Sequence, residues 1–277
     1  MTVRIVTDSS CDLPAGVMAM GICVVPLYIN VGSHGYLDGI DLTRDEFYKR
    51  LPTFSEQPTT AVPSPLKFRA MYDALADEGA SAVLSIHISS SLSAIVNVAQ
   101  VAAQETVSVP VTVFDSRQLS LGTGFLVETA ARLARAGSMV PEILAALNEQ
   151  IQCTHVFAAL DTLHFLRRSG RMNLVVSTIG ELLQIKPLLK MYDGRASAER
   201  VRTRKHAMQR LVELLHEYGP YEKVALLHSD AAEWAKDLLQ EVRKFLPDGE
   251  IWFEQINPVL GAHLGPGVVG FACVSKR

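Results

Sequence analysis

The first half of the chain repeats one pattern, and that pattern restricts the fold more than any other feature. A short apolar run ends abruptly in polar residues and is followed by a stretch with helical spacing. Val3-Arg4-Ile5-Val6-Thr7 gives way to Asp8-Ser9-Ser10-Cys11-Asp12. Ala82 to Ile88 ends in Ser89-Ser90-Ser91-Leu92-Ser93, and the small and apolar residues Ala94 to Gln104 follow directly. Val109 to Phe114 ends in Asp115-Ser116, with a helical pattern over Leu121 to Arg135. Short apolar runs bounded this way read as buried strands. Their alternation with helices predicts an α/β fold with a parallel sheet and crossover helices. In such sheets ligands sit in the polar loops at the carboxyl ends of the strands.

Between these units the sequence predicts a strand near Val24 to Ile29 and a helix over Thr43 to Leu51. Ser64-Pro65 opens another helix, with serine placed to cap and proline tolerated at the first position. Phe68, Met71, Tyr72 and Leu75 share its apolar face, and Gly79 is placed to stop it. The second half is less regular. After a helix from Pro141 to Ile151 comes a strand from Thr154 to Leu160, then short helices over Asp161 to Arg168 and Leu174 to Leu183. Asp193-Gly194, between Leu188 to Tyr192 and Ala196 to Arg202, is a strong hairpin signal. A helix from Lys205 to Glu217, a strand from Val224 to Leu227, a helix from Ala231 to Phe245 and strands near Ile251 to Gln255 and Val268 to Val274 follow. An antiparallel hairpin among α/β units predicts a second domain with a mixed sheet. The expected division is residues 1–151 and 152–277.

Composition narrows the function. Hydrophobic residues make up 48% and charged residues 20%, an ordinary globular balance. A net charge of −3 gives no footprint for nucleic acid or an anionic membrane. No apolar run approaches the roughly 20 residues of a spanning helix, and no signal peptide opens the chain. Cys11, Cys23, Cys153 and Cys273 are scattered, without a C-x-x-C pair, so a reducing cytoplasm is the expected location. The histidines lack metal-ligand spacing. No G-x-S-x-G elbow, P-loop, G-x-G-x-x-G or H-E-x-x-H occurs.

Several residues could still carry chemistry. Ser93 lies between a strand end and a helix start, where free amides and the helix dipole favour an anion. A serine there either caps the helix or bonds a ligand carboxylate, and the local sequence favours the cap. His263, within Gly261-Ala262-His263-Leu264-Gly265-Pro266-Gly267, is either packed in a structured loop or free to donate to an anion. Arg167, Arg168 and Arg171 end a short helix, where basic residues commonly complement the dipole. Asp8, Ser9, Ser10, Asp115 and Ser116 sit after strands, as ligand groups or caps. Taken alone, these residues describe an anion-binding α/β protein.

Together the motifs resemble the DegV family of bacterial lipid-binding proteins, nearly end to end. The opening Val3 to Pro14 resembles its N-terminal signature, Ile88 to Ser93 its serine-rich segment and Phe114-Asp115-Ser116 the strand end that follows. Leu163 to Arg171 and Leu183 to Leu188 resemble two motifs of its second domain, and Gly261 to Gly267 its closing loop. The resemblance implies two α/β domains with one long-chain fatty acid, such as palmitate or stearate, between them, and no other cofactor. It implies that Thr60, Ser93 and His263 bind the carboxylate, with the Ala94 amide as a further donor and Arg171 nearby. It further implies no catalysis by this chain, with a fatty acid kinase as the partner that makes an acyl phosphate for phospholipid synthesis. Val176, Ile179, Leu182, Leu183 and Ile185 offer apolar material for a tunnel or, equally, for ordinary core packing. Burying about 14 methylenes at about 0.8 kcal/mol each gives roughly 11 kcal/mol before binding costs.

Two departures make the head-group region more apolar than the family pattern. Thr60-Ala61-Val62-Pro63-Ser64 carries Ala61-Val62 where the family has serine-glutamine, and Ala94-Ile95 replaces glycine-threonine. Two other readings remain open from sequence. One is an acyl-ester hydrolase with Ser93 as nucleophile and His263 as base. The other is a regulatory module whose lipid-filled state binds another protein.

Overall fold

A computed structural model describes residues 2–172, 186–249 and 251–277. The expected helix over Leu174 to Leu183 and the five proposed tunnel residues lie outside the described residues, as does part of the Leu183 to Leu188 motif. In the first half, β1 (Val3–Asp8), β2 (Cys23–Val25), β6 (Ala82–His87) and β7 (Val111–Asp115) form a four-stranded sheet in the order β2-β1-β6-β7. All three of its pairings are parallel. Alternate side chains feed two layers. Val6 and Val83 pack with α3 (Pro65–Asp77) and α4 (Ile95–Glu105) through Phe68, Tyr72, Leu75, Ile95 and Ala99. Ile5, Leu84 and Ile86 face α5 (Ser120–Arg135) and α6 (Val140–Ile151). The central strands β1 and β6 are buried on both faces, as their continuous apolar runs require.

The second sheet has six strands in the order β10-β9-β8-β13-β11-β12. They are β8 (Thr154–Ala159), β9 (Lys186–Tyr192), β10 (Arg195–Val201), β11 (Tyr221–Ser229), β12 (Trp252–Gln255) and β13 (Val268–Ser275). Only β11 and β12 pair in parallel, so the sheet is mixed. The late strand β13 lies between β8 and β11. Asp193 and Gly194 join β9 to β10 with φ of 44° and 76°, the doubly positive geometry of a type I′ hairpin. On one face Phe157, Leu188, Leu226 and Phe271 meet α8 (Arg204–Glu217) and α9 (Ala232–Val242). The other face turns toward the first sheet, with α5 between. A Cβ on Gly122 would stand 2.7 Å from Val156, so the absent side chain lets α5 approach β8.

Four local expectations need correction. The strand expected over Val24 to Ile29 is two strands in different sheets: β2, then β3 (Tyr28–Val31). Pro26 between them has no N–H for a continuous ladder. β3 pairs with β4 (His34–Leu37) and β5 (Thr59–Ala61) in a small antiparallel sheet, which three- and four-residue strands are too short to announce by periodicity. Ser64 occupies the expected cap position but its side chain makes no capping hydrogen bond. The helix expected from Asp161 begins only at His164 (α7, His164–Arg168). Thr43, by contrast, closes a reciprocal capping box with Glu46 ahead of α2 (Arg44–Arg50).

The fourth correction concerns the site. The segment read as a glycine-rich loop around His263 is mostly helix, α10 (Pro258–Leu264). Asn257 caps it, its side chain accepting from the Leu260 amide at 2.9 Å, and Pro258 takes the first position. Asn-Pro is a legible helix start, outweighed in the sequence reading by the glycines. Gly265 ends the helix at φ +76°, where a Cβ would meet the Phe165 ring at 2.2 Å.

Candidate functional site

Elements of both halves of the chain converge on a cavity of about 220 Å³ between the two larger sheets. A lone buried water needs only about 10–15 Å³ by such a measure, so the space suits an extended molecule. Its floor is the inner face of the mixed sheet: Val156 and Ala158 of β8, Leu189 and Met191 of β9, Ala196 of β10. Strand alternation aims all five the same way, and the two alanines leave the space open. Ile88, Leu92, Leu119, Val259 and Leu260 add further apolar wall.

The polar groups come from the loops and ends above that floor. β5 presents Thr60, the β6–α4 connection presents Ser93 and Ala94, α10 presents His263, and the residues after α7 present Arg171. All five sequence-nominated residues therefore line one cavity. Thr60 Oγ1 and His263 Nε2 are 2.9 Å apart. Nδ1 of His263 is buried without a hydrogen-bond partner among the described residues. Burial, with Arg171 nearby, pulls the His263 pKa down to about 4, so the imidazole is neutral at pH 7. Either tautomer then leaves one donor. If Nε2–H donates to Thr60, the threonine hydroxyl is free to donate onward. If Thr60 donates to Nε2, the proton sits on Nδ1. A carboxylate, which only accepts, matches both cases.

Ser93 Oγ accepts from the Ile95 amide at 3.4 Å, a weak cap. Ala94, at the cap position of α4, makes no side-chain hydrogen bond there. The positive end of an eleven-residue helix thus faces the cavity with little of its own to satisfy it. Arg171 donates to the Ser169 carbonyl at 2.9 Å. No hydrogen bond joins Ser93 to His263 among the described residues.

The other candidates have structural roles. Ser9 Oγ accepts from the Leu27 amide, Asp115 accepts from Ser90 and Arg117, and Ser116 bonds Gln118 and Thr123. Arg167 and Arg168 are exposed, and Lys186 pairs with Asp161. The four cysteines are free. Among the described residues no acidic, histidine or cysteine cluster could hold a metal, and no helix is long and apolar enough to cross a membrane.

Ser10, one of the candidates after β1, also lines the cavity, whereas sequence reasoning missed Leu27, Ala158, Met191 and Ala196; alternation along β8 to β10 was the available signal for the last three. It also missed a hydrogen-bonded chain behind the cavity. Tyr72 donates to Ser85 (2.9 Å), Ser85 to His87 Nε2 (2.7 Å) and His87 Nδ1 to Asp8 (2.9 Å). The order is that of a hydrolytic triad, yet Tyr72, Ser85, His87 and Asp8 are all 0% exposed. Sealed from substrate, it ties β1, β6 and α3 together. Burial pushes Asp8 up, but His87, Ser10 and the Ile88 amide outweigh it and hold the carboxyl below its ordinary value.

A family model described as uncharacterised proteins of the DegV family matches residues 2–276. This chain belongs to the DegV family. A DegV domain-containing protein of Deinococcus radiodurans is 37% identical over 277 residues, covering 98% of each chain. Among solved structures, a fatty-acid-binding DegV family protein from Thermus thermophilus superposes with a TM-score of 0.89 at 34% identity, covering both chains fully. DegV of Bacillus subtilis, also described as a fatty acid binding protein, gives 0.91 at 31%, covering 99% of this chain and 100% of its own. The two-domain α/β fold of the DegV chain thus follows its relatives.

The neutral His263 has a measurable consequence. Its pKa falls from 6.5 to about 4 on folding, so the unfolded state binds the extra proton over that interval. The stability it contributes is present above about pH 6.5 and is lost as pH falls through about 4. Relative to His263→Gln, the unliganded wild type should therefore lose stability between those values in urea titrations. An identical pH dependence for the two proteins would show that the imidazole is not held neutral.

Proposed function

We propose that this DegV protein binds one long-chain fatty acid, such as palmitate or stearate, with its carboxylate on Thr60, Ser93 and His263. The Ala94 amide adds a donor and Arg171 supplies positive charge nearby. The observation that carries this reading is the convergence of those five residues on a cavity whose remaining wall is largely apolar. An unpaired carboxylate there would cost several kcal/mol, and the site offers neutral donors and a helix terminus instead. Fatty acid binding by the Thermus thermophilus and Bacillus subtilis proteins supports the same assignment.

The ligand is then clasped between units of residues 1–151 and 152–277, in the cytoplasm, and the chain acts as a carrier. It presents the carboxylate to a separate fatty acid kinase, which forms the acyl phosphate used in phospholipid synthesis; binding and orientation are this chain's contribution. Lipid extraction and native mass spectrometry of purified protein should find one C16 or C18 acid per chain. Protein that arrives empty and refuses added palmitate would sink the reading. Failure of a loaded protein to support phosphorylation by the kinase would remove only the carrier step.

A further inference from the structure

Behind the cavity, four segments distant in sequence meet on one carboxylate. Asp12 is 0% exposed. Its Oδ1 accepts from the Asn257 amide at 2.8 Å and from Asn257 Nδ2 at 3.0 Å, with Arg44 Nη2 at 3.3 Å. Its Oδ2 accepts from Ser120 Oγ at 2.6 Å. The β1–α1 connection, leading to α1 (Ala15–Met18), is thereby joined to the starts of α2, α5 and α10. Asn257 is the branch point. Its Oδ1 caps α10, and its Nδ2 also donates to the carbonyl of Ser10 at 3.1 Å. Ser10 and His263 both line the cavity.

We infer that Asn257, held by Asp12, is a positioning residue for the carboxylate site: it fixes the N-terminal end of α10 and thereby where His263 points. This inference rests on the fatty acid reading above. His263 stands six residues beyond Asn257, roughly 9 Å along the helix at about 1.5 Å per residue. A tilt of about 10° at the start would move the imidazole by roughly 1.5 Å, and displacements near 1 Å are enough to cost about a hundredfold in well-oriented sites. The other end of α10 is held separately, by Gly265 against Phe165, where no side chain fits, and by Ser229 Oγ donating to the Gly265 carbonyl at 2.7 Å, so it is the N-terminal end whose place Asn257 decides. Neither Asp12 nor Asn257 lines the cavity.

Asn257→Ser separates capping from tying. Serine is a good cap but has no second donor for Asp12 and Ser10. With palmitate as the probe, Asn257→Ser is expected to bind at least tenfold more weakly than wild type. In the ligand-free proteins, the ¹⁵N resonances of the His263 imidazole should shift. In a His263→Gln background the same substitution should cost less than twofold, because coupled residues are not additive. Binding within twofold of wild type, unshifted resonances, or an undiminished loss in the His263→Gln background would each overturn the inference. If Asn257→Ser does not fold, Asp12→Asn is read by the same three measurements. If wild type takes no palmitate, the fatty acid reading fails, while the ligand-free resonances still decide the positioning role.

Discussion

Replacing Asp8 with alanine is expected to destabilise the protein by about 3–5 kcal/mol, because the buried donors its carboxylate satisfies are left without an acceptor. The carboxylate accepts from His87 Nδ1 at 2.9 Å, from the amides of Ile88 (3.2 Å) and Ser10 (3.0 Å), and from the Ser10 hydroxyl. Alanine strands every one of those donors where no water reaches, and each orphaned buried group costs about 1–3 kcal/mol. A loss that large would consume much of a typical domain's stability. Urea unfolding measures it directly. A loss below about 1 kcal/mol would mean that water or a neighbouring group takes over the acceptor role.

Ala158→Phe is expected to empty the protein of lipid while leaving it folded. Ala158 projects from β8 into the cavity, not into the packed layer beneath α8 and α9. A phenyl ring there fills the space the proposed acyl chain would occupy and avoids the strain of overpacking a full core. Native mass spectra should show only bare chain, and the thermal midpoint should stay within a few degrees. Retained lipid at wild-type stoichiometry would place the acyl chain elsewhere. Unfolding would show instead that the floor is already full.

The elements legible from sequence are those whose burial is regular. β1, β6 and α3 carry their periodicity openly, and Asp193-Gly194 specifies its own turn. Thr60, Ser93, Ala94, His263 and Arg171 were nominated through motif resemblance, since locally a serine before a helix reads as a cap. What stayed hidden depends on contacts between distant segments. Three-residue β5 has no period of its own; it is a strand because β3 pairs with it. His87 reads as one more residue of a buried strand until Asp8, 79 positions earlier, is placed beside it. Asn257 and Asp12, 245 positions apart, are likewise joined only by the fold. Among α10's signals, three glycines within seven residues point to a loop, although Gly261 lies within the helix and is glycine because a side chain there would strike Tyr48 and Phe47.

The place of β13 in the second sheet bears on how the protein is made. A ribosome delivers β8 more than a hundred residues before the strand that must pair with it, and β11 some forty before. Until residue 275 has emerged, those two strands have no central member to join them. α10, which carries the histidine, is itself finished only at residue 264. The first sheet and the β8–β9–β10 floor can form while synthesis continues, but β13, which joins β8 to β11, and α10, which carries His263, come last. If the chain binds lipid as proposed, its head-group site is complete only once α10 has been made, so loading follows the synthesis of that helix.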